Sequence, residues 1–289
     1  MTEAKAAIGA APIDERTQES AVQVQLRRRR WLVNGLRLGL LVVALGGWEI
    51  AAQLKWIDPF FFAMPSTIAD QIWTWITEGT SQGPLWEQVL VTLEETVLGF
   101  LIGAVLGIIC GVALGRNRLL ADVFSIYIKI ANSVPRVVLG SIFIIALGLG
   151  MASKVALAVV MVFFVVFGNA FQGVREADRN LIANARILGA SPRQVTTAVV
   201  IPSALSWIIA SLHVSFGFAL VGAVVGEFLG SREGIGLLIA TAQGTFNADG
   251  VFAAMIVLAV VALIAEYLIT LLENSLLKWR PAQMVETGF

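Results

Sequence analysis

Residues 97–114 have the sequence VLGFLIGAVLGIICGVAL, in which no charged residue interrupts the run. An apolar helix of about 20 residues can cross the hydrocarbon core of a bilayer, whereas a membrane β-strand alternates apolar and polar residues over about ten. This stretch is continuously apolar and does not alternate. It therefore predicts a membrane-spanning helix.

Similar apolar runs lie on both sides of this stretch. They are Gly35–Leu54, Leu119–Leu149, Val155–Phe171, Pro202–Leu229 and Val251–Leu272. The whole chain of 289 residues is 57% hydrophobic and only 14% charged, where soluble proteins carry about 25% charged residues. The predicted fold class is an all-α membrane protein with six transmembrane helices.

The segments between the runs complete the predicted organisation. The expected parts are a cytoplasmic tail over 1–30, a first transmembrane helix within 31–57, an outer segment over 58–87, a core domain over 88–280 with a cytoplasmic loop over 173–201, and a cytoplasmic tail over 281–289. In the outer segment, Ile68, Ile72, Trp75 and Ile76 form a helical stripe behind a cap signal of Thr67 and Asp70. We interpret this stripe as a helix at the membrane surface.

Basic residues predict the orientation, because they concentrate on the cytoplasmic side of membrane proteins. A cytoplasmic N-terminus puts fourteen inside, namely Lys5, Arg16, Arg27, Arg28, Arg29, Arg30, Arg116, Arg118, Arg175, Arg179, Arg186, Arg193, Lys278 and Arg280. Only Lys55, Lys154 and Arg232 fall outside. The run 27–30 before an apolar stretch also resembles a signal peptide, but no clear cleavage site follows, so an uncleaved first span is expected.

Composition excludes several classes of function. The formal net charge is +0, which gives no overall basic signal for nucleic acid. His213 and Cys110 are each the only residue of their type, so no multi-histidine metal site and no intrachain disulfide are expected. No metal site and no clustered catalytic residues are predicted.

Glycine recurs at every fourth position of the second span. The ridge consists of Gly99, Gly103, Gly107, Gly111 and Gly115. Residues four apart lie on nearly the same helix face, so another helix can approach closely along this line. Tight packing in a bundle is the simpler interpretation, and a seam that slides during gating is the alternative.

The third run is too long for one straight crossing and contains Asn132, Ser133, Pro135 and Arg136. Proline removes a backbone donor and clashes with the preceding turn, so the helix should break near mid-membrane. Broken helices at that depth line cavities in transporters. We expect these four residues to line a translocation path, with Glu227 nearer its outer end.

Ionisable residues within or near the spans allow two interpretations. Lys129 and Arg136 could share a face that attracts an anionic solute, or each could pair with a glutamate or reach the membrane surface. The carboxylates Glu49, Glu94, Glu95, Glu227 and Glu266 could serve an ion-coupled carrier. For His213, packing is favoured over a role in proton transfer.

The inner loop between the fourth and fifth runs predicts a short helix. Leu181, Ala185 and Leu188 mark one face, Gly189 should end the helix, and Ala190 leads into a second helical stretch. A short helix that projects from a membrane bundle suits a groove on a cytoplasmic partner.

This loop resembles that of the permease subunits of bacterial ABC importers. The family signature is E-A-A, three residues, G, nine residues and I-x-L-P, and the chain matches its frame with Ala183-Asn184-Ala185, Gly189 and Val199-Val200-Ile201-Pro202. Ala183 replaces the motif glutamate, so the resemblance does not carry the electrostatic part of ATPase docking to this position. The loop still keeps the glycine and an apolar face.

Further segments resemble the nitrate/sulfonate/taurine branch of these importers. They are Thr92–Phe100, Gly148-Leu149-Gly150, Gly226–Gly230 and Gly234-Ile235-Gly236. The resemblance implies a type I importer permease of the bacterial inner membrane, with both termini in the cytoplasm. It also implies a second permease copy, a periplasmic binding protein and a cytoplasmic ATPase dimer that binds the ATP.

The residues themselves support this division of labour. The chain has no G-x-x-x-x-G-K-[ST] motif, so it is expected to bind no nucleotide or other cofactor and to catalyse no reaction itself. The alternative hypothesis is an ion-coupled secondary transporter that uses the intramembrane carboxylates. No evident internal repeat supports that alternative.

Overall fold

The computed structural model describes residues 15–177 and 179–276. The predicted C-terminal tail over 281–289, the first fourteen residues, Lys278 and Arg280 lie outside the described residues. Within the described ranges the regular elements are helices, apart from one isolated bridge between Thr80 and Gly83.

The helices are introduced here in chain order. They are α1 (Glu15–Gln53), α2 (Pro59–Phe62), α3 (Pro65–Thr77), α4 (Leu85–Arg116), α5 (Arg118–Ser133), α6 (Val138–Leu147), α7 (Met151–Arg175), α8 (Arg179–Ile187), α9 (Pro192–Val195), α10 (Ile201–Leu229), α11 (Ile235–Gly244) and α12 (Ala248–Leu276). A π-helical turn over Thr196–Val200 joins α9 to α10.

Five stretches in the described residues are long and apolar enough to cross a membrane as single helices. They are Arg27–Gln53, Leu85–Arg116, Met151–Arg175, Pro192–Leu229 and Ala248–Leu271. The pair α5 and α6, bent by 94° at its break, is long and apolar enough to make a sixth crossing if its two helices form one broken span. The six predicted spans and the all-α fold class are confirmed.

The chain separates into a first compact unit that ends at Ser66 and a second that begins at Thr67. In the first unit α1 already begins at Glu15, so residues 15–30 of the predicted cytoplasmic tail are helical, and the location of this tail stays a prediction. That stretch contains no glycine or proline and is rich in Glu, Gln and Arg, which favour helices. Glu49 accepts hydrogen bonds from the backbone and side chain of Ser66.

Helix α3 corresponds to the predicted surface helix, but its start differs from the prediction. It begins at Pro65, whose missing N–H is no loss in a first turn, so Thr67 and Asp70 lie inside the helix and do not cap it. The Thr67 hydroxyl instead donates a hydrogen bond to Asp249 of α12. Ile68 and Trp75 of the predicted stripe are buried, whereas Ile76 is exposed.

The core of the second unit is built on close packing of α4 against α7. A Cβ atom at Gly107 would lie 2.9 Å from Cβ of Val166 and 3.0 Å from the carbonyl oxygen of Phe163. The other ridge glycines meet α7 residues that also recur at every fourth position, namely Ala158, Val162, Ala170 and Val174. The ridge therefore lies in a helix interface, as the simpler interpretation expects.

Helix α10 packs on the same part of α7. A Cβ atom at Gly222 would lie 2.7 Å from Cα of Ala158, so three backbones approach closely around this residue. Small side chains at such positions maximise packing contacts between membrane helices. Helices α4, α7 and α10 thus form the close-packed centre of the second unit, and α6 packs against α7 and α10.

Candidate functional site

The break in the third span lies where the sequence predicts it. Helix α5 ends at Ser133, Val134 is extended, and α6 begins at Val138. Pro135 forces this geometry because it cannot donate a helical hydrogen bond and it disfavours the helical conformation of the residue before it. The break separates two short helices at the depth of a membrane crossing.

The break presents polar groups on the surface of the chain. Asn132, Ser133 and Pro135 are exposed, and Arg136 is half-buried. The Arg136 guanidinium donates a 2.7 Å hydrogen bond to Oδ1 of Asn132 and lies 5.0 Å from the ring centre of Phe164. These two contacts hold the guanidinium beside the break.

Arg136 retains unused hydrogen-bonding capacity. Its Nε is buried and has no hydrogen-bond partner among the described residues. Among the described residues, no carboxylate oxygen lies within 4.0 Å of the side-chain nitrogens of Arg136 or of the exposed Lys129. Charged groups at membrane depth are costly in lipid, so these two cations favour a protein-covered or water-filled location.

Glu227 occupies a different setting from the one expected. It is fully buried, with Oε1 2.7 Å from the Thr92 hydroxyl and Oε2 accepting a 2.6 Å hydrogen bond from the backbone N–H of Gly236. Glu227 therefore presents no surface to an open path in this conformation. The sequence placed it on the path because a lone glutamate in an apolar run shows no partner.

The surroundings of Glu227 form a buried polar network. Gly234, at φ +106°, directs its N–H to Oε1 of Gln88 over 2.7 Å, and the N–H of Ile235 donates to the Thr92 hydroxyl over 3.0 Å. Glu227 and its neighbours thus bind the first backbone N–H groups of α11, which have no partner inside the helix. The network ties α4, α10 and α11 together.

Glu95 and Lys154 complete this network. Glu95 is fully buried next to Glu227, with its Oε2 lacking a hydrogen-bond partner among the described residues, and the Lys154 ammonium group lies near both carboxyl groups but more than 4.0 Å from their oxygens. Lys154 is fully buried and also donates to the backbone carbonyl of Gly150 over 3.2 Å. The segments that carry the branch resemblance thus meet at one place, although Gln88 and Gly234 lie 146 residues apart in sequence.

The predicted cytoplasmic helix is α8, and Gly189 ends it. Gly189 has φ +84°, its N–H donates to Arg186, and the N–H of Ala190 donates to Ala185, each over 3.0 Å. These two bonds form a Schellman motif, which requires a left-handed residue that glycine supplies at least cost. The predicted helix stop is therefore present.

The bundle covers some apolar residues of the α8 segment and leaves others exposed. Ala185 packs on the bundle with Ile182 and Ala190, next to buried Val174, Val195 and Val200. Leu181, Ile187 and Leu188 instead remain 52%, 82% and 86% exposed. Leu181, Ala185 and Leu188 are four and three residues apart and so lie along one side of the helix, with Ala185 at the edge that the bundle covers.

The remaining motif residues flank this helix. Ala183 and Asn184 are exposed on α8. After the turn, Ser191 and Gln194 form a reciprocal capping box that starts α9, and the helix continues through the π-helical turn to Ile201 and Pro202. Helix α9 is thus continuous with the fifth span through the π-helical turn.

His213 of α10 forms a contact with Glu266 of α12. Its Nε2 lies 3.6 Å from a Glu266 carboxylate oxygen, beside a cavity of about 270 Å³. Glu94 is exposed on α4, and Glu95 and Glu227 belong to the buried network described above. The carboxylates proposed for an ion-coupled carrier therefore do not form one continuous series with His213.

The sequence model of one protein family matches much of this chain. It is described as "Binding-protein-dependent transport system inner membrane component" and matches residues 103–278, which is more than half of the chain. The chain belongs to this family. It is a multi-pass inner-membrane permease, and the resemblance to ABC importer permeases is confirmed.

Curated relatives of this permease extend the match over almost the whole chain. A putative aliphatic sulfonates transport permease protein, SsuC of Bacillus subtilis, is 31% identical over 97% of this chain and 98% of its own length. The taurine transport system permease protein TauC of Escherichia coli is 27% identical over 84% of this chain and 89% of its own length. These two belong to the branch that the sequence indicates.

Solved structures show the same fold. An inward-facing structure of the MetNI methionine ABC transporter covers 67% of this permease and 93% of the matched chain, at 21% identity and a TM-score of 0.52. A crystal structure of an amino acid ABC transporter with histidines matches with a TM-score of 0.53 at 18% identity, over 67% of this chain and 92% of its own. The type I importer permease fold is thereby confirmed.

Proposed function

We propose that this permease is a non-catalytic subunit whose helix α8 transmits the movement of separate ATPase subunits to the translocation path. The observation that carries this proposal is the outer face of α8, where Leu181, Ile187 and Leu188 stay exposed. A short helix with an exposed apolar face suits insertion into a groove on a partner protein.

The connection between α8 and the bundle supports a role in coupling. One face of α8 packs on the core while the rigid capping box links the loop to α10. A force applied to the exposed face would therefore reach the fifth span without passing through a flexible linker. Ala183 contributes no charge to this contact, so apolar burial would supply most of the docking energy.

The proposed path runs beside the break in the third span. Asn132, Ser133 and Pro135 offer exposed polar surface, and Arg136 offers a cation without a carboxylate partner among the described residues. These features suit a small anionic solute. The sulfonate and taurine permeases among the relatives favour a sulfonate-like anion.

The proposed assembly follows from this division of labour. It contains two copies of this permease, a periplasmic binding protein that delivers the solute, and a cytoplasmic ATPase dimer that binds the ATP, while the permease itself holds no cofactor. In this arrangement Arg116, Arg175, Arg186 and Arg193 face the cytoplasm and Arg232 faces the periplasm, in accordance with the positive-inside rule.

The proposal is tested by changing the exposed face of α8. We expect Leu188→Asp to weaken binding of the ATPase subunits and to abolish the ATP hydrolysis that the solute-loaded binding protein stimulates. Ile76→Asp is the control, because Ile76 is also exposed but lies on α3. Unchanged ATPase binding and stimulation in Leu188→Asp would overturn the coupling role.

The path is tested separately at Arg136. In the assembled transporter, Arg136→Ala should lower solute-stimulated ATP hydrolysis about tenfold or more, because a charged hydrogen bond contributes about 1.5–3 kcal/mol. Arg136→Lys should retain part of the activity, since it keeps the charge but loses the planar group. Activity that is indifferent to both substitutions would remove Arg136 from the path.

A further inference from the structure

A cleft of about 420 Å³ opens between the ends of several helices of the second unit. Its lining includes Arg116 of α4, Arg175 of α7, Arg186 of α8, and Thr196 at the start of the π-helical turn. The other described lining residues are small or apolar, and none of the described lining residues carries a carboxylate. Three arginines from three helices therefore line one space of ligand size.

The three arginines are not neutralised by neighbouring carboxylates. Among the described residues, no carboxylate oxygen lies within 4.0 Å of any of the three guanidinium groups. Arg175 has one contact of another kind, with its guanidinium carbon 5.4 Å from the ring centre of Phe171. All three side chains are exposed, so their charges are open to a ligand.

The position of the cleft indicates what kind of anion it meets. Arg116 and Arg175 are the last residues of two membrane-spanning helices. Residues at the ends of such helices lie at the level of the lipid headgroups. In the proposed orientation this is the cytoplasmic leaflet, which carries anionic lipids.

Apolar surface lies directly beside the arginines. Arg116 also lines a shallow depression with Ala113, Asn117 and Leu120, and the neighbouring Leu119 is 72% exposed. A lipid whose phosphate lies in the cleft would find an apolar surface for its acyl chains there. The exposed residues of α8 that are proposed to bind the ATPase, Leu181 and Leu188, do not line the cleft.

We infer that this cleft binds the phosphate-bearing headgroup of an anionic phospholipid of the cytoplasmic leaflet. Arg116, Arg175 and Arg186 bind the phosphate oxygens, and guanidinium groups suit this task because they donate two parallel hydrogen bonds. Since the ligand joins the ends of α4 and α7 to α8, it would hold the coupling helix in place. The inference rests on the proposed orientation but not on the proposed coupling.

Lipid binding can be measured on the purified full-length permease in detergent. Short-chain phosphatidylglycerol is titrated against short-chain phosphatidylcholine, and the rise in Tm gives the apparent affinity. Phosphatidylglycerol should bind more tightly. Each Arg→Gln substitution at positions 116, 175 and 186 should weaken its binding about fivefold, and the three together about a hundredfold.

Two control proteins make the result specific. Arg193→Gln removes an exposed arginine from α9 that does not line the cleft, and it should leave the affinity unchanged. The triple Arg→Lys variant keeps the charges and should retain most of the preference for phosphatidylglycerol. A triple Arg→Gln variant whose Tm without lipid equals that of the unsubstituted permease excludes misfolding as the cause of weak binding.

Three outcomes would overturn the inference. One is equal affinity for the two lipids, or a preference that the triple Arg→Gln variant keeps. Another is full competition by inorganic phosphate at the same concentration as the lipid, which would assign the cleft to a soluble anion. The third is a triple Arg→Gln variant that no longer binds the ATPase but still binds the lipid, which would assign the arginines to carboxylates of the ATPase.

Discussion

Glu227 shows how a carboxylate can be buried in a membrane bundle without facing a solute path. Its two oxygens are bound by the Thr92 hydroxyl and the Gly236 N–H, and Lys154 supplies an opposite charge. A sequence shows the glutamate but not these partners, which come from α4, α7 and the first turn of α11. For this reason the sequence analysis predicted Glu227 on the translocation path, whereas in the structure Glu227 is buried in a polar network.

Removing the Glu227 carboxylate should destabilise the fold. Glu227→Ala leaves the buried Gly236 N–H without its acceptor, at a cost of about 1–3 kcal/mol, whereas the Thr92 hydroxyl keeps its 3.1 Å hydrogen bond to the Gln88 carbonyl. Glu227→Gln keeps one acceptor oxygen and should cost less. Thermal unfolding in detergent measures both, with exposed Glu78→Ala as the control. Equal Tm values for Glu227→Ala and Glu78→Ala would contradict the structural role.

Gly189 is the residue-scale determinant of the coupling helix. Its φ of +84° is strained for a β-branched side chain, although no atom would obstruct a Cβ there. Gly189→Val should therefore distort the end of α8 and lower binding-protein-stimulated ATP hydrolysis about fivefold or more. Gly189→Asn, which tolerates this conformation, should keep most of the activity. Equal rates of stimulated ATP hydrolysis in Gly189→Val and Gly189→Asn would show that the left-handed backbone conformation of residue 189 is not required for coupling.

Helices were the most predictable elements of this chain. Long apolar runs mark each span, and Pro135 marks the break, because both signals are local in sequence. The partner of the glycine ridge was not predictable, since its small residues at Ala158 and Ala170 resemble any other apolar helix. The exposure of the apolar residues of α8 was not predictable for the same reason: the pattern shows which residues are apolar but not which ones the bundle covers.

The packing of α4 on α7 can be tested by exchanging two residues. A Cβ at Gly99 would overlap that of Ala158, so Gly99→Ala should lower Tm, as overpacking costs about 1–3 kcal/mol. The double variant Gly99→Ala with Ala158→Gly removes the overlap and should recover most of this loss, less about 0.5–1 kcal/mol for the new helical glycine.

Gly168→Ala in α7 is the matched control, because no atom lies within 4 Å of a Cβ there. It should leave Tm unchanged or raise it slightly, since alanine favours helices. A double variant that is no more stable than Gly99→Ala would mean that Ala158 is not the residue that opposes a larger side chain at position 99.

At the scale of the whole molecule, the neutral net charge conceals an asymmetric distribution. Arg116, Arg175, Arg186 and Arg193 lie at one end of the spans in the second unit, and Arg232 follows the opposite end of α10. This asymmetry could be predicted from the sequence, because it depends only on where the spans begin and end and on which loop each arginine lies in. The clustering of three of these arginines around one cleft was not, since they come from three different helices.

The orientation can be measured by labelling single cysteines in a Cys110→Ser background. Ser81 and Arg193 are exposed and lie at opposite ends of the proposed spans. In intact cells, a membrane-impermeant thiol reagent should label Ser81→Cys and should label Arg193→Cys only after permeabilisation. Labelling of Arg193→Cys in intact cells, with Ser81→Cys protected, would reverse the proposed orientation.

The measurement that tests the central claim is solute uptake into proteoliposomes. We expect uptake only when the permease is reconstituted with its ATPase subunits, the solute-loaded binding protein is outside and ATP is inside, and we expect ionophores that dissipate proton and sodium gradients to leave the rate unchanged. Uptake by the permease alone, driven by a proton or sodium gradient and abolished by those ionophores, would contradict the account and establish an ion-coupled carrier.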